Sequence, residues 1–265
     1  MANNSGASRR AALRQQQEME ERKKRTTRII GFGLGAVALA VVVVLIVVIV
    51  QTLGKKAEVV AGEQQTPPNA TAEGGINLVS QGEQPAEDAP HLLIYEDFQC
   101  PACAYYTQTY GPIVDQLVDE GKITVEYSMA TFLDGGLGND SSARAAMAGN
   151  AADAVGKFRE FHNAVYANQP QEGVGYTDQQ LRVDFPALAG IEGDDLTTFQ
   201  NLYDTLAFAD FVKKSGDRWY DNKIGSTPTY MVNGKKLVFY DEEKKEVLIE
   251  PTADDLLNAI EEANG

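Results

Sequence analysis

Hydrophobic and polar positions divide the chain into stretches of different character. Residues 29–50 (IIGFGLGAVALAVVVVLIVVIV) run for 22 positions without a charge, and a helix needs roughly 20 residues to cross a bilayer core. The apolar part of a secretory signal peptide is shorter, about 7–15 residues. The run therefore predicts one uncleaved transmembrane helix, with cleavage near the small residues around Ala61 as the alternative. Residues 51–75 contain QQTPPNATAEGG, a polar segment punctuated by proline and glycine that reads as a linker.

From residue 76 to 265 apolar positions recur with the periods of strands and helices. His91–Tyr95 (HLLIY) reads as a short buried strand, followed by a helix from the CPAC turn to about Glu120 and an alternating strand from Ile123 to Met129. Residues 141–169, 177–190 and 194–222 carry helical patterns. Thr229–Val232 and Lys236–Tyr240 flank Asn233-Gly234, a strong hairpin signal. A last helix over Thr252–Ala263 opens with Thr252 as a candidate N-cap and with Asp254 and Asp255 in its first turn. Helices between strands that are not hairpin-linked predict an α/β domain with a mixed sheet covered by helices.

Charge orients the chain. Residues 1–28 form a basic tail with eight Lys/Arg and three Glu, whereas only Lys55 and Lys56 closely follow the apolar run. The positive-inside rule places the tail in the cytoplasm and the domain outside it. The net charge is −15 although the tail is basic, so the domain is strongly acidic. Nucleic-acid binding, which favours a basic footprint, is not expected.

The chain has two cysteines, Cys100 and Cys103, both in EDFQCPACAYY. Beyond each other, neither has a cysteine in the chain to pair with permanently, and outside the cytosol disulfides form and persist. Pro101 suits the first helical position, which sets Cys100 at the helix N-terminus, where free N–H groups and the dipole favour a thiolate. Cys103 lies one turn further in. The spacing suits reversible disulfide exchange. Zinc would need three or four ligands, and only His91 and His162 supplement the cysteines; no metal is expected. A structural disulfide closing so short a loop removes little entropy and is the weaker alternative. Thr227-Pro228 stands at a strand entrance, where an X-Pro bond can aim backbone at a ligand.

DFQCPAC, KFREFHNAVYANQ and GSTPTYMVNGK, in this order across about residues 77–264, resemble the thioredoxin superfamily, in its DsbA-like branch with a helical insertion. The resemblance implies a thioredoxin-like fold over 76–265 with the insertion at about 139–222. It implies Cys100 as nucleophile, Cys103 as resolving thiol, and a cis Thr227-Pro228 beside them, where a substrate chain pairs in strand fashion. No cofactor is implied beyond the redox-active Cys100–Cys103 disulfide. Two departures stand out. Strong oxidants of the branch often carry histidine where this chain has Ala102, and its loss should raise the Cys100 pKa. The family's buried, proton-shuttling acid falls on Ile94; Glu96 and Asp97 are candidate substitutes on opposite strand faces, or ordinary polar residues at a strand end.

Other residues read more plainly. Phe158, Phe161 and Val165 give His162 an apolar helical stripe, which favours a packing histidine over a base. Tyr105 and Tyr106 are read equally as groove-lining or packing. Pro112 should kink the first helix, and Trp219 and Tyr220 should pack in the core. The chain thus reads as a single-pass cell-membrane protein whose extracytoplasmic domain exchanges thiols and disulfides, making disulfides in exported cysteine-containing proteins. A membrane partner, coupled to quinone, would re-oxidise it. A reductase or isomerase using the same cysteines, served by a reducing partner, is the alternative, as is a redox-inert peptide-binding module. No dimerisation heptads are visible, so a monomer is expected.

Overall fold

In the computed structural model, which describes residues 63–265, the HLLIYE run forms the central strand of a five-stranded mixed sheet. The strands are β1 (Ile76–Asn77), β2 (His91–Glu96), β3 (Thr124–Met129), β4 (Thr229–Val232) and β5 (Lys235–Lys236), in the order β1-β3-β2-β4-β5. β2 and β3 run parallel, joined through helix α1 (Pro101–Asp119), and β4 lies antiparallel on the other side of β2. Asn233 and Gly234 both adopt positive φ, +48° and +75°, the backbone a two-residue hairpin turn requires. The second hairpin strand is shorter than its sequence suggests. After Lys236 only Leu237 N–H bonds back to Tyr230 O. The chain then leaves to form a separate ribbon, β6 (Tyr240–Asp241) with β7 (Glu246–Val247).

Strand register sorts side chains onto two faces. Leu92, Ile94 and Glu96 of β2 share a face with Val125, Tyr127 and Met129 of β3 and with Tyr230 and Val232 of β4. Helix α1 turns Cys103, Ala104, Thr107, Tyr110, Val114 and Leu117 inward, a stripe at helical spacing. Pro112 lies inside α1 without ending it. The C-terminal helix α8 (Ala253–Asn264) is capped by Thr252 Oγ1, which accepts from Asp255 N–H at 3.2 Å, and buries Leu256 and Ile260.

The long helical block breaks into more pieces than its periodicity implies. They are α2 (Phe132–Leu137), α3 (Ser141–Ala154), α4 (Phe158–Ala167), a π-helical turn (Gln180–Asp184), α5 (Phe185–Leu188), α6 (Gly193–Asp204) and α7 (Ala209–Asp221). Gly156, at φ +70°, separates α3 from α4, and Leu206, at φ +51°, precedes α7. Phe158, Phe161 and Val165 remain on one buried stripe of α4 after the break, while α3 is buried along most of its length, from Ala145 to Asp153. Trp219 stacks on Phe132 at 4.3 Å and Tyr220 is exposed, so neither enters the core as expected; α7 covers the second sheet face with Phe211, Val212 and Ser215 instead.

The anchor expected at 29–50, the basic tail and the linker to residue 62 lie outside the described residues. Among the described residues no helix is long and apolar enough to cross a membrane. The end of the expected linker is part of the domain. Asn69 donates through N–H and Nδ2 to the buried Asp153 at 3.0 and 2.8 Å, and Gln64 Nε2 reaches Leu206 O at 3.1 Å. Thr71 Oγ1 donates to the buried Glu126 at 2.8 Å. Polar composition resembles a linker here because these side chains satisfy buried acids. Gly75 is needed for the approach: a Cβ at that position would stand 2.0 Å from Glu126 Oε1.

Glu126 also meets Arg218 of α7 and, at 3.2 Å, His91 Nε2. Burial opposes its charge, but His91, Arg218 and Thr71 outweigh burial and hold its carboxyl at about 2, below its ordinary 4.5. A depressed carboxyl stabilises the fold fully above the unfolded value and loses that contribution as pH falls through the folded one. Thermal melts of Glu126→Gln against the parent should therefore show the widest gap above pH 4.5 and a closing gap toward pH 2; a gap independent of pH would contradict the ion-pair account.

Candidate active site

The last turn of β2 and the first turn of α1 build the site. Cys100 is the N-cap of α1, with extended backbone (φ −76°, ψ 117°), and Pro101 follows inside the helix start. Cys100 N–H closes the turn onto Asp97 O at 2.8 Å. Its sulfur accepts from Cys103 N–H at 3.4 Å, as an N-cap side chain does. Both cysteines are free thiols. Cys100 is 8% exposed and Cys103 is fully buried, while Pro101 and Ala102 form the exposed rim. Across the turn, Thr227-Pro228 is cis, and the Cys100 thiol donates to Thr227 O at 3.3 Å.

These surroundings separate the two thiols electrostatically. Contact with the Cys103 thiol is the largest influence on Cys100. Burial opposes it, and Thr227 and the helix N–H groups of Cys103 and Ala102 reinforce it, so that Cys100 falls from 9.0 to about 6. Ala102 thus contributes a backbone donor, although it lacks the side-chain donor common in the branch. Cys103 moves the other way: burial, contact with Cys100 and the negative charge of Glu96 push it well above its ordinary value. One sulfur is ready to attack or leave as thiolate, and the other is held protonated.

Glu96 and Asp97, adjacent in sequence, do different work. Asp97 turns toward the helical insertion. It accepts from Gln99 N–H at 2.9 Å, Ser142 Oγ at 2.5 Å and Leu133 N–H at 3.2 Å. Burial raises it to about 6, and those three hydrogen bonds oppose the rise. Its carboxyl joins the active-site turn to α2 and α3 rather than facing the thiols. Gln99 extends the junction through Nε2 to Asp134, Asn139 and Ser142 at 2.8–2.9 Å. After α4, Gln169 Nε2 holds Phe98 O and Cys100 O at 2.8 and 3.0 Å, and Tyr176 OH donates to Phe98 O at 2.6 Å.

Glu96 turns the other way, onto the α1 face, and is 1% exposed. Its carboxylate accepts from Thr107 Oγ1 at 3.4 Å and meets His162 Nε2 at 2.7 Å. Ile94, two residues earlier on the same face, is buried opposite Tyr127 and Tyr230. The acid buried on this face is Glu96, one strand repeat nearer the cysteines than Ile94. His162 is the residue that sequence reasoning underrated. Its apolar stripe correctly predicts burial, and a buried imidazole needs a partner, but the partner lies 66 residues away.

Tyr106 packs in a ring cluster with Tyr110, Tyr230 and Phe239, whereas Tyr105 is 63% exposed beside the motif. A groove of about 1170 Å³ on the opposite sheet face, lined by His91, Leu93, Tyr95, Arg218 and Met231, reaches neither cysteine. Because Cys103 is the main cause of the depressed Cys100 thiol, Cys103→Ala should raise the Cys100 pKa by more than about one unit toward 9.0, read from the pH dependence of alkylation; an unmoved profile would assign the depression to the helix terminus instead.

The fold recurs in solved structures of bacterial redox proteins. A reduced disulfide bond oxidoreductase (DsbG) from Mycobacterium tuberculosis matches with a TM-score of 0.54 at 24% identity, over 72% of this chain and 88% of that one. Oxidised DsbA from the same organism gives 0.55 at 24% identity over 72% and 93%. MdbA, a thiol-disulfide oxidoreductase from Actinomyces oris, gives 0.56 at 20% identity over 74% and 91%. At these identities the likeness establishes the fold. No curated protein matches the sequence significantly. The thioredoxin family model matches residues 80–260, more than half of the chain, and with the CPAC turn capping α1 opposite a cis proline, the chain belongs to the thioredoxin family.

Proposed function

We propose that this protein is a membrane-anchored, extracytoplasmic thiol-disulfide oxidoreductase that forms disulfides in exported proteins through Cys100 and Cys103. The observation that supports it most is the opposed pair of thiols, Cys100 lowered to about 6 and Cys103 buried and raised. In the oxidised protein a substrate thiolate attacks Cys100 Sγ, and Cys103 leaves. A second substrate thiolate then attacks the substrate sulfur of the mixed disulfide, and Cys100 leaves as a thiolate. A thiol of low pKa is the better leaving group, so this step favours release of oxidised product. Thr227-Pro228, whose carbonyl already receives the Cys100 thiol, is the backbone against which the substrate chain lies. Two electrons remain on the cysteines after each turn. A membrane partner of quinone-linked type would remove them, and residues 29–50 would hold the domain beside it.

A thiol at about 6 lies between those of thioredoxin (about 7) and the strongest oxidants (about 3.5). Reduction or disulfide isomerisation by the same two cysteines is the second reading; a redox-inert peptide-binding role would need an unreactive Cys100. The readings part in a refolding assay. Oxidised full-length protein, added to a reduced and unfolded multi-disulfide enzyme, should restore its activity. Cys100→Ser should abolish this, and Cys103→Ala should trap a mixed disulfide. Rescue confined to a scrambled-disulfide substrate would assign isomerisation, and no exchange with either substrate would overturn the enzymatic reading.

A further inference from the structure

Two carbonyls of the active-site turn share one donor. Gln169 Nε2 gives its two hydrogens to Phe98 O at 2.8 Å and to Cys100 O at 3.0 Å. Both acceptors are carbonyls, so the amide must present its nitrogen to them. Phe98 O also accepts from Tyr176 OH at 2.6 Å, and Cys100 O from Ala104 N–H at 3.2 Å. Gln169 is seated from several sides. Helix α4 ends at Ala167, Asn168 Nδ2 donates to Ala164 O at 2.8 Å, and Pro170 disfavours helical backbone at Gln169. Gln108 Nε2 of α1 holds Tyr166 O at 3.2 Å. Further along, Tyr176 N–H donates to Ser141 Oγ at 3.0 Å, and Arg144 Nη2 to Tyr176 O at 2.6 Å. Gly175, at φ +72°, permits this approach, since a Cβ there would stand 2.4 Å from Ser141 Oγ.

Gln169 is only half-buried, so water would satisfy both carbonyls nearly as well. What an anchored amide adds is direction. Phe98 O and Cys100 O lie in the peptide planes on either side of the one joining Gln99 to Cys100, and a single donor that holds both fixes the backbone of Cys100 between them. We propose that Gln169 is a positioning residue for Cys100: it keeps the cysteine in its extended N-cap conformation, with the N–H groups of the helix start aimed at Sγ, and thereby sets the reduction potential of the Cys100–Cys103 pair. This rests on the exchange reaction proposed above and gives the helical insertion a part in its equilibrium. Cys103 N–H meets the Cys100 sulfur at 3.4 Å, and such a contact weakens steeply when donor and acceptor fall out of line. Without Gln169 the Cys100 carbonyl is free to swing and to carry Sγ out of line. The loss falls on the thiolate, because hydrogen bonds to a charged acceptor are the stronger ones, and thiolate stabilisation in the reduced form is what makes a disulfide oxidising. Of the titratable groups around the turn, Cys103 acts on Cys100 and Glu96 acts on Cys103. Asp97 is occupied by Gln99, Leu133 and Ser142, and burial keeps Tyr176 protonated.

The test takes two readings on the full-length protein: the fraction of disulfide at equilibrium in glutathione buffers at neutral pH, and the pH dependence of Cys100 alkylation. Gln169→Met keeps the side chain's length and removes its donors. It should raise the alkylation midpoint by at least about half a unit, which is about threefold in thiolate stabilisation. It should also move the glutathione equilibrium about threefold toward the disulfide, about 14 mV at about 30 mV per tenfold. Asn168→Ala loosens the end of α4 but touches neither carbonyl, and should keep the parent's values. A Gln169→Met protein with the parent's midpoint and equilibrium would overturn the proposal even if it melts lower, because satisfying two carbonyls is then all that the side chain does. An Asn168→Ala shift of equal size would overturn it too, assigning the effect to general loosening of the loop. If Gln169→Met fails to fold by circular dichroism, Gln169→Ala decides by the same two readings. Parent-like Gln169 variants leave the exchange reaction standing, whereas a parent that does not exchange with glutathione overturns the proposed function and this inference with it.

Discussion

The N-terminus of α1 imposes the constraint on which the rest depends. Cys100 caps the helix and Cys103 lies one turn inside it, so two chemically identical thiols experience opposite surroundings. The first sees N–H groups, the Thr227 side chain and the neighbouring thiol. The second sees buried apolar packing and the charge of Glu96. A difference of this kind stabilises the reduced protein through one sulfur alone, and thiolate stabilisation in the reduced form is what makes a disulfide oxidising. Ala102 keeps the motif from adding a side-chain charge, so the separation rests on the contact between the two thiols, on backbone donors at Cys100 and on the burial of Cys103.

The helical insertion keeps that geometry in place. Gln169 and Tyr176 hold the carbonyls of Phe98 and Cys100, and Asp97 and Gln99 bind the turn to α2 and α3. None of these side chains faces the reacting sulfurs; they fix the backbone that does. The arrangement explains why two adjacent acids diverge. The pleat sends Glu96 to the α1 face and lets Asp97 leave the strand toward the insertion. The segment around Asn69 to Gly75 does for Asp153 and Glu126 what the insertion does for the active-site turn, supplying partners to buried acids.

Much of this was legible in local pattern. The CPAC turn with Pro101 fixed the helix start, and HLLIY the central strand; Asn233-Gly234 announced the hairpin, and the Thr227-Pro228 position suggested its cis bond. Local pattern failed where contacts span many residues. The segment from Gln64 to Gly75 looks like a linker because its polar side chains seem solvated, when Asn69 and Thr71 satisfy acids far along the chain. The helical block reads as long runs because Gly156 and Leu206 change backbone sign without changing the apolar stripe. His162 reads as packing, because periodicity reports burial and says nothing of Glu96. Counting Glu96 two residues past Ile94 would have placed it on the correct face, since strand side chains repeat every second residue.

The reduction potential of the Cys100–Cys103 pair tests the central claim most directly, read by equilibrating the protein in glutathione buffers and trapping its thiols. A nucleophilic thiol lowered by contact with its partner thiol and by backbone donors against the effect of burial, as here, predicts a potential above about −200 mV, toward the range of about −180 to −120 mV found for isomerases and strong oxidants. A potential near about −270 mV, that of thioredoxin, would contradict the account and make the domain a reductant.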